Sequence, residues 1–111
     1  MDCIFCKIVA GEIPSNNVLE NEHVLAFQDI SPQAPTHTLV IPKRHLTSMD
    51  DLADAELGGA LLTAAAEVAR DAGLGDGWRL IANTGDHGGQ EVAHLHLHVL
   101  GGRPLGRMLP D

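Results

Sequence analysis

Three histidines, His94, His96 and His98, occupy every second position of the segment AHLHLHVLGG. Side chains alternate along an extended strand, so the three imidazoles would share one face and Leu95, Leu97 and Val99 the other. A core gains nothing from three rings whose hydrogen bonds with water must all be replaced, so the pattern points to chemistry. One candidate is a metal centre, which would make the chain a zinc-dependent hydrolase. At about 3.3 Å per residue, His94 and His98 stand roughly 13 Å apart, too far to share one ion, so at most two of the three could join ligands from elsewhere. The other candidate is nucleophilic catalysis. A neutral imidazole attacks phosphorus or acyl carbon when an acceptor holds its other nitrogen, and His96, flanked by two rings, is the natural nucleophile. The spacing alone leaves both open.

The elements that must carry these residues are legible from pattern. CIFCKIVAG has apolar residues at helical spacing and stops before Gly11 and Pro14, which predicts a short helix or a pair of turns. NVLENEHVLAFQD predicts a hairpin turning at Glu20, Asn21 and Glu22, ISPQAPTH a loop, and HTLVIP a buried strand. Leu57, Leu61, Ala65, Val68 and Ala72 recur at helical spacing, with Asp54 as N-cap and Gly73 as left-handed stop. GWRLIAN, Gly77 to Asn83, predicts a further strand, and TGDHGGQ a glycine-rich loop into the histidine strand. The order implies one α+β domain over residues 1–111, a mostly antiparallel sheet with the long helix on one face.

Seven Lys and Arg against fifteen Asp and Glu give a net charge of −8, the wrong sign for a nucleic-acid partner. A small anion remains admissible, because backbone N–H groups and local histidines can override the overall field. With 44% hydrophobic residues but only Phe5, Phe27 and Trp78 aromatic, the core must be aliphatic. The N-terminus lacks a secretory signal and no apolar run has membrane-spanning length, which leads to the expectation of a cytoplasmic protein without a membrane partner. Cys3 and Cys6, in C-x-x-C spacing, then suggest metal or redox chemistry more than a structural disulfide. No spaced acidic pair near the triad suggests magnesium.

Together, HLHLHVL followed by GGR, DISPQAPTHTLVIPKRH, NTGDHGGQEV and the opening CIFCKI resemble, in order and spacing, the histidine triad (HIT) nucleotide hydrolases and transferases. His98 argues against the transferase branch, which carries glutamine there. The form of DISPQAPTH and the GGR ending argue against the branch that splits dinucleoside polyphosphates. The resemblance is to the nucleotide-binding branch of homodimeric purine nucleoside phosphoramidases. It implies a five-stranded sheet with one long helix and one short N-terminal helix, paired into a dimer, and a purine nucleotide substrate without an organic cofactor.

The resemblance also implies roles. His96 would form a nucleotidyl-histidine intermediate, supported by His94, His98 and the additional His37. Asn83, Gly89 and Gln90 would lie at the phosphate, Asp29 at the ribose hydroxyls, and Phe5, Ile8, Phe27 and Ile30 around the base. Members that begin C-x-x-C bind zinc, here through Cys3, Cys6, His45 and His94, a common closed structural set. Two positions depart from the pattern. Glu91 stands where many members have a serine that contacts phosphate or leaving group, and a carboxylate there would repel phosphate, so Glu91 is left out of the catalytic set. Ala93 precedes the triad, where relatives often carry an aromatic. Two other functions compete: a regulatory nucleotide-binding protein with little turnover, and dinucleoside polyphosphate hydrolysis.

Overall fold

The computed structural model describes residues 2–109. In chain order the elements are α1 (Ile4–Val9), β1 (Asn17–Glu20), β2 (Val24–Gln28), β3 (Thr36–Pro42), a single 3₁₀ turn (Met49–Asp51), α2 (Ala55–Asp71), β4 (Trp78–Ile81) and β5 (Leu97–Gly101). The strands form one sheet in the order β1-β2-β3-β5-β4, and every pairing is antiparallel. Among the described residues no helix is long and apolar enough to cross a membrane.

Helix α2 starts where Asp54 accepts the backbone N–H groups of Glu56 and Leu57, and ends ahead of Gly73, which has φ +72°. Its buried stripe of Leu57, Leu61, Ala64, Ala65, Val68 and Ala69 packs against Val24, Ala26, Val40, Leu95, Leu97 and Val99 on one face of the sheet. Each fully buried Leu or Val there contributes about 1.5–3 kcal/mol of hydrophobic stabilisation. The opposite face carries a smaller cluster in which Phe5 and Cys3 from the N-terminal segment cover Leu25, Phe27, Leu39 and Ile41. The sheet therefore separates an aliphatic layer from a layer where thiols and imidazoles gather.

The histidine segment departs from the expected continuous strand. Only His98 of the triad lies in β5, which begins at Leu97, while His94 and His96 sit in the irregular entry to it. Pairing with β3 ends at Val40↔Leu97, and the neighbour on the other side, β4, ends at Ile81↔His98. Continuing the ladder would soon meet Pro42, which has no N–H to give. Leu95 instead donates its N–H to the Leu46 carbonyl at 2.7 Å. The expected alternation survives this, since Leu95, Leu97 and Val99 all face α2. β4 is also shorter than the span Gly77 to Asn83, so Asn83 lies two residues beyond its end.

Candidate active site and metal cluster

His96 is 6% exposed, and its Nδ1 lies 2.7 Å from the backbone carbonyl of His94. A carbonyl can only accept, so Nδ1 carries the proton and Nε2 keeps its lone pair. That Nε2 has no partner among the described residues. The Phe5 ring packs edge-on to His96 with centroids 5.2 Å apart, and the His98 ring stands 5.0 Å away. Both contacts limit how far the imidazole can turn.

A second chain of hydrogen bonds fixes His98. The backbone N–H of Gln33 donates to His37 Nδ1 at 3.0 Å, so His37 holds its proton on Nε2. That proton is donated to His98 Nδ1 at 2.8 Å, which leaves the proton of neutral His98 on Nε2. Asp29 Oδ2 lies 3.5 Å from His37 Nε2 and Asp29 Oδ1 accepts the Ser31 N–H at 2.8 Å. Burial lowers the pKa of His37, with Asp29 opposing the shift, and burial followed by the fields of His96 and His37 lowers that of His98 to about 4. Both rings are neutral at pH 7, as this tautomer assignment requires. Asp29, His37 and His98 also have ligand atoms within 4.8 Å of one another. A cation there would need the lone pair of His37 Nε2, and moving that proton to Nδ1 would set it against the Gln33 N–H. The three residues are built as a proton-ordered relay rather than a metal centre.

A cavity of about 380 Å³ opens over these groups, lined by His37, His96 and His98 and by Phe5, Asp29, Asn83 and Gly89. Not every residue expected there reaches it. Phe27 is buried beneath Phe5, with ring centroids 5.5 Å apart, and Ile8 packs into the same apolar layer. Ile30 is 97% exposed and lies outside the cavity: as the residue between Asp29 and Ser31 it points away from the loop's interior contacts. Gln90 also stays out of the lining. Its Nε2 donates to the carbonyls of Thr47 at 2.7 Å and Val92 at 2.9 Å while its Oε1 accepts the Gly85 N–H, so the amide clamps the glycine loop. Asn83 Nδ2 ties the same loop through the Gly88 carbonyl at 2.7 Å. Conversely, Ser31 and Gln33 line the cavity without having been singled out for it, and so does Glu91, which the sequence reading left out of the catalytic set. A larger cleft of about 610 Å³ beside Trp78 and Arg79 contains no histidine, cysteine or serine, so size does not identify the reactive cavity.

His94 does not line the reactive cavity. It is fully buried, its Nε2 lies 3.0 Å from the Pro42 carbonyl, and its Nδ1 turns toward the cysteines. Because Nε2 must be the donor to Pro42, Nδ1 presents a bare lone pair. It stands 3.2 Å from Cys3 Sγ, 3.6 Å from Cys6 Sγ and 3.1 Å from His45 Nδ1, and Cys6 Sγ is 3.4 Å from His45 Nδ1. Ligands around a tetrahedral zinc at the usual bond lengths stand roughly 3.3–3.8 Å apart, so the four side chains fit the ion with little adjustment. Burial and then the adjacent Cys3 raise the pKa of Cys6, a preference that a divalent cation at the thiols would reverse. Phe5, lying between the cysteines in sequence, touches both His94 and His96 and so links this cluster to the cavity.

Comparison with known proteins finds relatives over nearly the whole chain. Residues 10–105 match the HIT domain. The purine nucleoside phosphoramidase of Escherichia coli K12 is 52% identical over 111 residues, covering 97% of this chain and 93% of that protein. A HIT family hydrolase from Legionella pneumophila superposes with a TM-score of 0.91 at 49% identity, over 95% of this chain and 96% of the other. The histidine triad nucleotide-binding protein of Candida albicans gives 0.89 at 30% identity, over 99% and 84%. With the match extending from the end of α1 to beyond β5, the chain belongs to the HIT-domain family.

Proposed function

We propose that the chain is a purine nucleoside phosphoramidase, hydrolysing the P–N bond of nucleoside 5′-phosphoramidates through a covalent intermediate on His96. The observation that carries the mechanism is the hydrogen bond from His96 Nδ1–H to the His94 carbonyl, because it leaves the Nε2 lone pair available as a nucleophile. The Nε2 lone pair forms a bond to phosphorus as the P–N bond breaks, and the amine departs with a proton. Water then attacks phosphorus, the P–His96 bond breaks, and nucleoside monophosphate is released. The carbonyl stabilises the positive charge that builds on His96 during attack. His98, held as the Nε2–H tautomer, donates to the phosphoryl oxygens or to the departing nitrogen.

Asp29 suits the ribose hydroxyls, since a carboxylate accepts from two O–H donors. Gly89, with φ +74°, belongs to a turn whose backbone can approach an anion closely, with Gln90 and Asn83 holding its shape. Phe5 supplies the apolar wall for the base. Cys3, Cys6, His45 and His94 would hold a structural zinc, whose chemistry is to tie α1 to the active-site segment. A cytoplasmic setting suits two free thiols in such a cluster. A second copy would dock at β4. This edge strand exposes Trp78 and Leu80 close to an apolar cleft of about 280 Å³ walled by Met49, Leu61, Leu62 and Leu97.

The test is intact-protein mass spectrometry after rapid mixing with an adenosine 5′-phosphoramidate. An adenylyl adduct on the native protein, absent from His96→Ala and accompanied by loss of turnover on the order of 10⁴-fold, is the expected result. Turnover without His96 would overturn the mechanism. Tight nucleotide binding with no turnover by the native protein would favour a regulatory role.

A further inference from the structure

The reactive cavity has a charge composition that P–N cleavage alone does not require. Two carboxylates, Asp29 and Glu91, line it, and no lysine or arginine does. Two of its histidines, His37 and His98, do not replace the missing cation, because burial keeps them neutral. The wall thus offers the phosphoryl group no lysine or arginine charge. Of the two carboxylates, Asp29 is committed, accepting from Ser31 and standing beside His37. Glu91 has no hydrogen bond or ion pair among the described residues.

The Glu91 side chain is exposed at the cavity rim, and its main chain is held from both sides. The preceding Gln90 amide is tied to Thr47, Gly85 and Val92, and Val92 packs against the apolar layer of Phe5 and Leu39. An unpaired carboxylate is thereby mounted on a clamped main chain at the wall of the cavity. Displacement at phosphorus is in line, so the amine must leave on the side of phosphorus opposite His96 Nε2, with the nucleoside oxygen to the side of that axis. Asp29 enters from the loop between β2 and β3, whereas Glu91 enters from the glycine loop on a different segment.

We infer that Glu91 selects the leaving group by charge: amines carrying a second, cationic group are preferred, and amines with an anionic tail are rejected. The inference rests on the phosphoramidase reading. At this solvent-exposed position the carboxylate attracts a cation held within a few ångströms and repels an anion there by a similar amount, on the order of 1 kcal/mol each at low ionic strength. It also compensates the substrate's phosphoryl charge indirectly, since a cationic tail brings its own positive charge into a cavity that lacks one.

The experiment compares kcat/KM for three adenosine 5′-phosphoramidates that share the nucleoside and an alkyl P–N bond but end in an ammonium, a methyl or a carboxylate group: those of cadaverine, pentylamine and aminovalerate. The native protein should prefer the cadaverine compound over the aminovalerate compound by about tenfold or more at low ionic strength, with the ratio compressed in high salt. In Glu91→Gln and Glu91→Ser the ratio should fall to within about twofold of unity, and Glu91→Asp should retain part of it. The readout is the ratio within each variant, so a general loss of activity does not mimic the effect. Equal turnover of the three compounds by the native protein, or a ratio that persists in both Glu91→Gln and Glu91→Ser, overturns the assignment and leaves the phosphoramidase reading standing. Failure of the native protein to cleave even the pentylamine compound overturns that reading itself.

Discussion

His37 Nε2 and His98 Nδ1 lie 2.8 Å apart, and a single proton between them belongs to His37 because the Gln33 N–H already occupies the other nitrogen of that ring. One backbone N–H in the β2–β3 loop therefore decides which nitrogen of neutral His98 carries its proton. Replacing His37 with phenylalanine keeps the aromatic volume and removes the donor. Leaving one nitrogen of His98 without its partner costs about 1–3 kcal/mol, so kcat/KM should fall on the order of tenfold to a hundredfold. His37→Gln, whose amide can still donate, should recover part of the loss. Equal loss in the two variants would show that the tautomer is set by something else.

The depressed pKa of His98 predicts how stability depends on pH. Its folded value of about 4 lies below the ordinary 6.5, first because of burial and then because of His96 and His37, with Asp29 acting in the opposite direction. As pH falls below about 6.5 the unfolded chain takes up a proton that the native chain refuses. This contribution to stability is complete above that pH and is lost as pH drops through 4. The midpoint of urea unfolding should decline from pH 6.5 downward, and the decline should be shallower in His98→Gln. Identical pH profiles for the two proteins would contradict the assignment.

Removing metal from the cysteine cluster should loosen the N-terminal segment without removing the nucleophile. Protein purified without chelator should contain about one zinc per chain, the number that a single four-ligand site accommodates. His45→Ala should lose that zinc and melt at least about 5 °C lower, with Phe5 no longer held against His96. Elemental analysis together with scanning calorimetry checks both. Full zinc content in His45→Ala would assign the metal to other ligands.

Gly88 tests the glycine loop. A Cβ at this position would collide with the Thr84 carbonyl oxygen and stand 2.7 Å from the Thr84 nitrogen, both backbone atoms that move only if the loop opens. Gly88→Ala should cost about 1–3 kcal/mol and raise KM, because the Asn83 bond to the Gly88 carbonyl is strained with it. Gly75→Ala, with nothing within 4 Å of its Cβ and no positive φ, is the matched control and should be nearly neutral. Equal behaviour of the two alanine variants in kinetics and urea unfolding would remove the steric argument.

What the sequence disclosed and what it hid follow from the range of the interactions concerned. Helix α2 was readable because its cap at Asp54, its apolar stripe and its stop at Gly73 are all local signals. The start of β5 was not, because it depends on where β4 ends and on the proline of a strand more than fifty residues earlier. Gln90 was expected at the phosphate from the family resemblance, yet its amide is used by Thr47, a partner that only the folded chain brings near. Ile30 was expected near the base from the family resemblance, and its exposure reflects the direction of one loop residue rather than its chemistry. Glu91 was visible as a departure and was set aside for its charge. The folded chain shows that charge facing a cavity without a cation.

His94 divides its duties between two kinds of atom. Its imidazole serves the thiols and Pro42, while its main-chain carbonyl orients the nucleophile. Every amino acid has the same carbonyl, so mutation can erode the first duty residue by residue without erasing the second. A descendant of this sequence could abandon Cys3, Cys6 and His45 and still inherit a reactive His96, provided that some other packing held the bend at position 94. The cluster and the nucleophile are thus separable inheritances that happen to pass through one residue.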